Sequence, residues 1–281
     1  MKLLRKGILP AVGVNPKDFS HRLWYTKGNP KKEVMPMKEQ SIKQYREDIE
    51  LLFEQWKAKE RHQNQVFNYD GIVDPECWFG LHDSGKPRIL FLLKEAYHSS
   101  DDEAQRRASG EMIYDLAHEL KEYGPWGNIW TRVAEWAKGI SDIWTDFGKP
   151  SASVVMPEYE PLDKGQCNDW LRRIAVVNVK KSAGVPETDM EELAGYSQYD
   201  SEELYREIYE IIKPDIIICG NTFSELRAIN PRLRDVPASE AWRYDDEGIL
   251  TVDYYHPSIR WSARLSFYGL VATCFHAAKK S

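Results

Sequence analysis

Four stretches of the chain place chemically able side chains just behind apolar runs. Arg88-Ile-Leu-Phe-Leu-Leu93 leads into Lys94-Glu95-Ala96-Tyr97-His98. Ile174-Ala-Val-Val-Asn-Val179 contains Asn178 and leads into Lys180-Lys181-Ser182. Asp215-Ile-Ile-Ile-Cys219 leads into Gly220-Asn221-Thr222, and Ile249-Leu-Thr-Val-Asp-Tyr-Tyr255 into His256-Pro257-Ser258. A carboxylate can stabilise a developing cation or orient a water, and a histidine exchanges a proton near neutral pH. An amide offers one donor and one acceptor to a planar ligand edge. Each residue also has a plain structural use. Glu95 can cap the following helix, a task that Ser99, Ser100 or Asp101 can also perform. His256 can be a packed, hydrogen-bonded residue, and Asn178 can tie down a loop instead of reading a ligand. Lys180 and Lys181 can be a solvated face, and Trp130 and Trp136 read as core. His98 and His256 lack a third ligand or a carboxylate pattern, so no metal is expected.

The elements that must position these residues follow from periodicity. Uninterrupted apolar runs signal strands buried on both faces, as in a parallel sheet. The expectation is a three-layer α/β/α domain whose central, largely parallel sheet has four strands, at 88–93, 174–179, 215–219 and 249–255. Ligands of such sheets bind beyond the carboxyl ends of the strands, where the four stretches above lie. Helical spacing is present over 38–61, 108–122, 127–139, 200–212 and 260–279. Residues 1–36 carry Pro10, Pro16, Pro30 and Pro36 and read as an irregular arm. Residues 1–84 form an arm and a helix packing on the core, residues 85–281 form the α/β/α domain, and 140–170 is a long insertion.

Composition narrows the function classes. The 281 residues are 42% hydrophobic and 29% charged, an ordinary globular balance. The net charge of −6 argues against coating nucleic acid by bulk electrostatics, though not against a local basic groove. Four cysteines, Cys77, Cys167, Cys219 and Cys274, form no C-x-x-C pair, and a reducing cytoplasmic setting is expected. The basic start lacks an apolar run of signal-peptide length, and no eighteen-residue apolar window suggests a membrane span. Nucleophile-elbow, P-loop and dinucleotide-binding motifs are absent, so acyl transfer and nucleotide-fold readings lose support.

In order and placement the four stretches resemble the uracil-DNA glycosylase superfamily. Lys94-Glu95-Ala96-Tyr97-His98 after a hydrophobic strand is similar to its first motif, G-Q-D-P-Y-H in one branch and G-E-A-P-G in another. His256-Pro257-Ser258 matches its strand-terminal H-P-S. Val177-Asn178-Val179-Lys180-Lys181-Ser182 resembles T-N-V-V-K-C, and Lys213-Pro214-Asp215 through Gly220 resembles K-P-x-x-I-x-x-x-G. The likeness covers roughly 85–280. Lys94 departs from the family's Gly or Gln, and the first-motif proline is absent.

The resemblance implies hydrolysis of an N-glycosidic bond to remove a damaged or deaminated base from DNA, with no cofactor. It places Glu95 at the developing sugar cation, with His256 donating to the departing base. Tyr97, Asn178 and Ser258 would hold the base, with Tyr97 or Tyr114 stacking on it. Lys180, Arg260, Trp261 and Arg264 would contact DNA, the segment Ile259–Leu265 serving as a wedge; its alternative is an ordinary amphipathic helix start. Ser182 stands where the iron–sulfur branch has cysteine, so no iron–sulfur cluster is expected. The alternative is a non-catalytic nucleic-acid- or nucleotide-binding protein on the same fold.

Overall fold

The computed structural model describes residues 37–97, 100–144, 156–184, 187–233, 241–244 and 248–280. The arm read at 1–36, the histidine at 98 and the middle of the insertion, 145–155, lie outside the described residues.

All four apolar runs are strands of one mixed sheet. In chain order its strands are β1 (Phe67–Tyr69), β2 (Gly71–Ile72), β3 (Ile89–Tyr97), β4 (Ile113–Asp115), β5 (Ile174–Gly184), β6 (Ile216–Gly220), β7 (Trp242–Tyr244) and β8 (Leu250–Tyr254). They lie in the order β4-β1-β5-β3-β6-β8-β7, with β2 also paired to β5. The inner strands β5, β3, β6 and β8 are mutually parallel. The strand pairs β1–β5, β2–β5 and β7–β8 are antiparallel.

The sheet therefore has eight strands, not four. The four extra strands are two or three residues long and line its margins. Pieces so short carry no periodicity to read, and only long-range pairing makes them strands. Two of them, β1 and β2, come from residues assigned above to the arm and helix, so the sheet begins before residue 85. The helix expected over 108–122 is also corrected. It divides into the end of a helix over Ser100–Ser109, strand β4 and a helix over Leu116–Glu122.

Period-two alternation within the inner strands explains their continuous apolarity. Ile89, Phe91 and Leu93 face one layer, with Trp136 and Ile140 of the helix Gly127–Trp144 and Leu270 of the helix Ala263–Lys280. Leu90 and Leu92 face the other, with Phe53 and Trp56 of the helix Met37–Lys57, Leu204 of the helix Ser201–Tyr205 and Leu226 of the helix Phe223–Ile229. Trp130 and Trp136 are core residues.

The segment 140–170, read as an insertion, carries helix at both of its ends. The helix from Gly127 reaches Trp144, and a second helix spans Lys164–Leu171. Asp163 accepts from the Gln166 N–H while the Gln166 side chain accepts from the Asp163 N–H, a reciprocal cap. That D-x-x-Q signature was present in the sequence as a start signal.

Candidate functional site

Parallel inner strands bring their carboxyl ends to one edge of the sheet. A cavity of about 730 Å³ opens there, and Glu95, Asn178, His256 and Ser258 all line it. Residues separated by up to 163 positions thus share one space because four strands run the same way.

Glu95 sits near the end of β3, in register with Lys180 of β5. The carboxylate is 3.1 Å from the Lys180 ammonium, which also lies 3.2 Å from Glu192. Lys180 is buried. Burial works against its charge, but Glu95 and Glu192 more than offset this and hold its pKa above the ordinary lysine value. Lys180 was expected to contact DNA. The structure corrects this: the ammonium is withdrawn from solvent and saturated by two carboxylates. Gly184 is the reason Glu95 fits, since a Cβ there would lie 2.4 Å from the Glu95 Cγ.

Asn178 is held from below. Its backbone N–H donates to Asp70 Oδ2 at 2.8 Å and its side-chain Nδ2 to the same oxygen at 3.0 Å. Asn68 donates to Asp70 as well, at 3.2 Å. Lys181 pairs with Asp70 Oδ1 and lies 2.7 Å from Glu207, all three side chains being fully buried. Burial pushes the Glu207 carboxyl well above the usual range; Lys181 opposes the shift and Asp70 reinforces it. The Lys181 ammonium is raised despite burial, by Asp70 and then Glu207. Lys181 is therefore an internal cation, not part of a solvated face.

His256 follows β8. Its Nδ1 accepts the Ser258 N–H at 3.2 Å and lies 2.8 Å from the Ser258 hydroxyl. An Nδ1 that accepts a backbone N–H leaves the ring proton on Nε2, so the neutral imidazole is an Nε2 donor. Burial, and after it the Lys94 charge, push the His256 pKa down to about 4. Arg132, on the helix Gly127–Trp144, fixes this loop by donating to the carbonyls of Pro257 and Ile259 at 2.6 Å each and of Trp261 at 3.1 Å. Gly220 lets the loop approach: a Cβ there would be 2.8 Å from Leu93 Cδ2 and 3.5 Å from the His256 Cα.

Tyr114, Trp126 and Tyr255 supply aromatic lining. Tyr97 closes β3, but its side chain lies outside the described residues. Arg260, Trp261 and Arg264 are exposed and are not among the lining residues. Trp261 rests on Tyr255, their ring centroids 4.5 Å apart, so it joins the cavity wall to an outer surface.

Sequence reasoning missed Asp70, Glu192, Glu207, Arg132 and Gly184. The roles of Asp70, Arg132 and Gly184 arise from partners far along the chain, whereas Glu192 and Glu207 pair with the nearer Lys180 and Lys181. Comparison with protein-family models, with curated proteins and with solved structures finds no match for this chain. No helix among the described residues is long and apolar enough to cross a membrane.

Proposed function

We propose that this chain is a DNA glycosylase-like hydrolase of the uracil-DNA glycosylase type, releasing a damaged or deaminated base. The observation that carries the reading is the meeting of Glu95, a neutral Nε2-donor His256 and Asn178 in one cavity. Its volume of about 730 Å³ suits a nucleobase with part of its sugar. The carbon–nitrogen bond breaks with its electron pair passing to the base, and a water adds to the sugar carbon. Glu95 stabilises the sugar cation and receives the water's proton, and His256 donates to the carbonyl oxygen on which charge accumulates. Asn178, aligned by Asp70, reads the base edge.

A duplex base must leave the stack to enter such a cavity. Trp261 and the exposed Arg260 and Arg264 beside it supply apolar bulk and phosphate contacts. The test is single-turnover release from oligonucleotides carrying uracil, hypoxanthine, xanthine or an alkylated base, with abasic sites cleaved by alkali. Release that disappears in Glu95→Gln supports the reading, and no release from any of them defeats it.

A second reading is a nucleic-acid- or nucleotide-binding module without catalysis. The Glu95–Lys180 pair favours it, because the ammonium occupies a carboxylate oxygen that catalysis would turn toward a water. Salt-sensitive oligonucleotide binding without base release would select it.

A further inference from the structure

Among the described residues, Lys94 is the one lysine lining the cavity, and its ammonium has no carboxylate partner. The neighbouring cations differ: Lys180 is bound to Glu95 and Glu192, and Lys181 to Asp70 and Glu207. Of the cavity carboxylates, Glu95 already faces Lys180, and Glu187 stands on the loop beyond β5. Lys94 lies in β3 and His256 two residues beyond β8, with β6 between the two strands, and both residues line the same cavity. The Lys94 charge reaches His256, being the second cause of its lowered pKa after burial.

We infer that Lys94 is a second electrophilic group of this cavity, charged where His256 is neutral, and that it selects ring ligands bearing or developing negative charge on the edge facing His256. The inference rests on the glycosylase reading for its chemistry. A keto base such as uracil or xanthine departs with the bonding electron pair, as an anion that Lys94 stabilises. A ring-alkylated base such as N7-methylguanine is already cationic in DNA and departs neutral. Lys94 repels it in the bound state and gains nothing from its departure. This cation therefore sets the substrate class, favouring neutral keto bases over cationic alkylated ones.

The test uses the full chain in two arms. In the first, free xanthine is titrated into wild type, Lys94→Gln and Lys94→Arg, followed by NMR, above and below the pH at which its ring N–H ionises. Wild type should bind the anion roughly tenfold more tightly than the neutral form. Lys94→Gln should lose that preference and Lys94→Arg keep it. The His256 resonances report that each variant is folded, and in Lys94→Gln they should titrate at higher pH than in wild type. In the second arm, single-turnover release is compared for uracil and N7-methylguanine in DNA, and the ratio should fall roughly tenfold in Lys94→Gln. Equal affinity for anion and neutral form in wild type, or an unchanged preference in Lys94→Gln, overturns the inference. Intact anion selection with no base release from any substrate defeats the glycosylase reading and leaves the role of Lys94 standing.

Discussion

Glu95 and Lys180 stand opposite each other in register on adjacent parallel strands, carboxylate and ammonium 3.1 Å apart with both side chains buried. The lysine at once orients the carboxylate and balances its charge where little water reaches. Removing one partner strands the other. Lys180→Met should destabilise the fold by roughly 3–5 kcal/mol, toward the lower end because Lys180 spans to the half-exposed Glu192 as well. Glu95→Gln with Lys180→Met should recover much of that loss. Urea unfolding of the four members of the double-mutant cycle measures the coupling.

Gly184 tests the same relationship from the backbone. Alanine there brings a Cβ to 2.4 Å from Glu95 Cγ and 3.0 Å from its Cβ, too close for the side chain to keep its place. Gly184→Ala should cost about 1–3 kcal/mol and displace Glu95. Base release should fall as far as in Glu95→Gln, while oligonucleotide affinity stays within about twofold. Equal release by the variant and wild type would show that the position of Glu95 is unimportant.

His256 sets a stability window in pH. The unfolded chain protonates this ring near 6.5 and the folded chain near 4. Between those values the unfolded state holds more protons, so stability falls as pH is lowered from about 6.5 to about 4 and levels off below. The loss should be about 2 kcal/mol, allowing for partial solvent access to the ring. His256→Asn should abolish this part of the pH dependence in urea unfolding. The imidazole stays neutral through the physiological range, so base release should show no limb attributable to His256 above about pH 5.

The buried Lys181–Asp70–Glu207 group makes an asymmetric prediction. Burial and Asp70 push the Glu207 carboxyl upward against the pull of Lys181, so Glu207 is the carboxyl of this group that favours its proton, while Asp70 also pairs with Lys181 and accepts from Asn178. Glu207→Gln should therefore cost under about 1 kcal/mol, whereas Lys181→Met, stranding Asp70, should cost roughly 3–5 kcal/mol. The folded chain keeps the Glu207 proton to higher pH than the unfolded chain, so this group costs stability as pH rises past the ordinary glutamate value. In Glu207→Gln that dependence should vanish.

Arg260 and Arg264 are exposed, while Lys180 is buried and paired. Salt titrations of oligonucleotide binding should separate them. Arg260→Ala and Arg264→Ala should each flatten the slope of log affinity against log salt by about 0.9 for each phosphate no longer neutralised. Lys180→Met should leave the slope unchanged. A flattened slope in Lys180→Met would return that residue to the DNA-binding surface.

By itself the sequence determined the inner sheet and the edge at which its candidate side chains gather. The short runs ending at Leu93, Val179, Cys219 and Tyr255 are mostly apolar and bounded by polar or turn residues, a pattern that strands covered on both faces satisfy. Parallel strands so covered send Glu95, Asn178 and His256 toward a common edge. Tertiary structure decided what those residues do there. Lys180 has the same local character whether it meets phosphate or Glu95, and the register of β5 against β3 chose Glu95. Asp70 follows a three-residue strand with no periodicity of its own, yet it accepts from Asn178, 108 positions away, and so aligns the amide. Arg132 lies within an amphipathic helix and is spent on three carbonyls of the His256 loop, 125 to 129 positions on. Local pattern reports which face of an element is buried. Partner choice within a buried layer depends on register and crossing geometry, which no window of neighbouring residues contains.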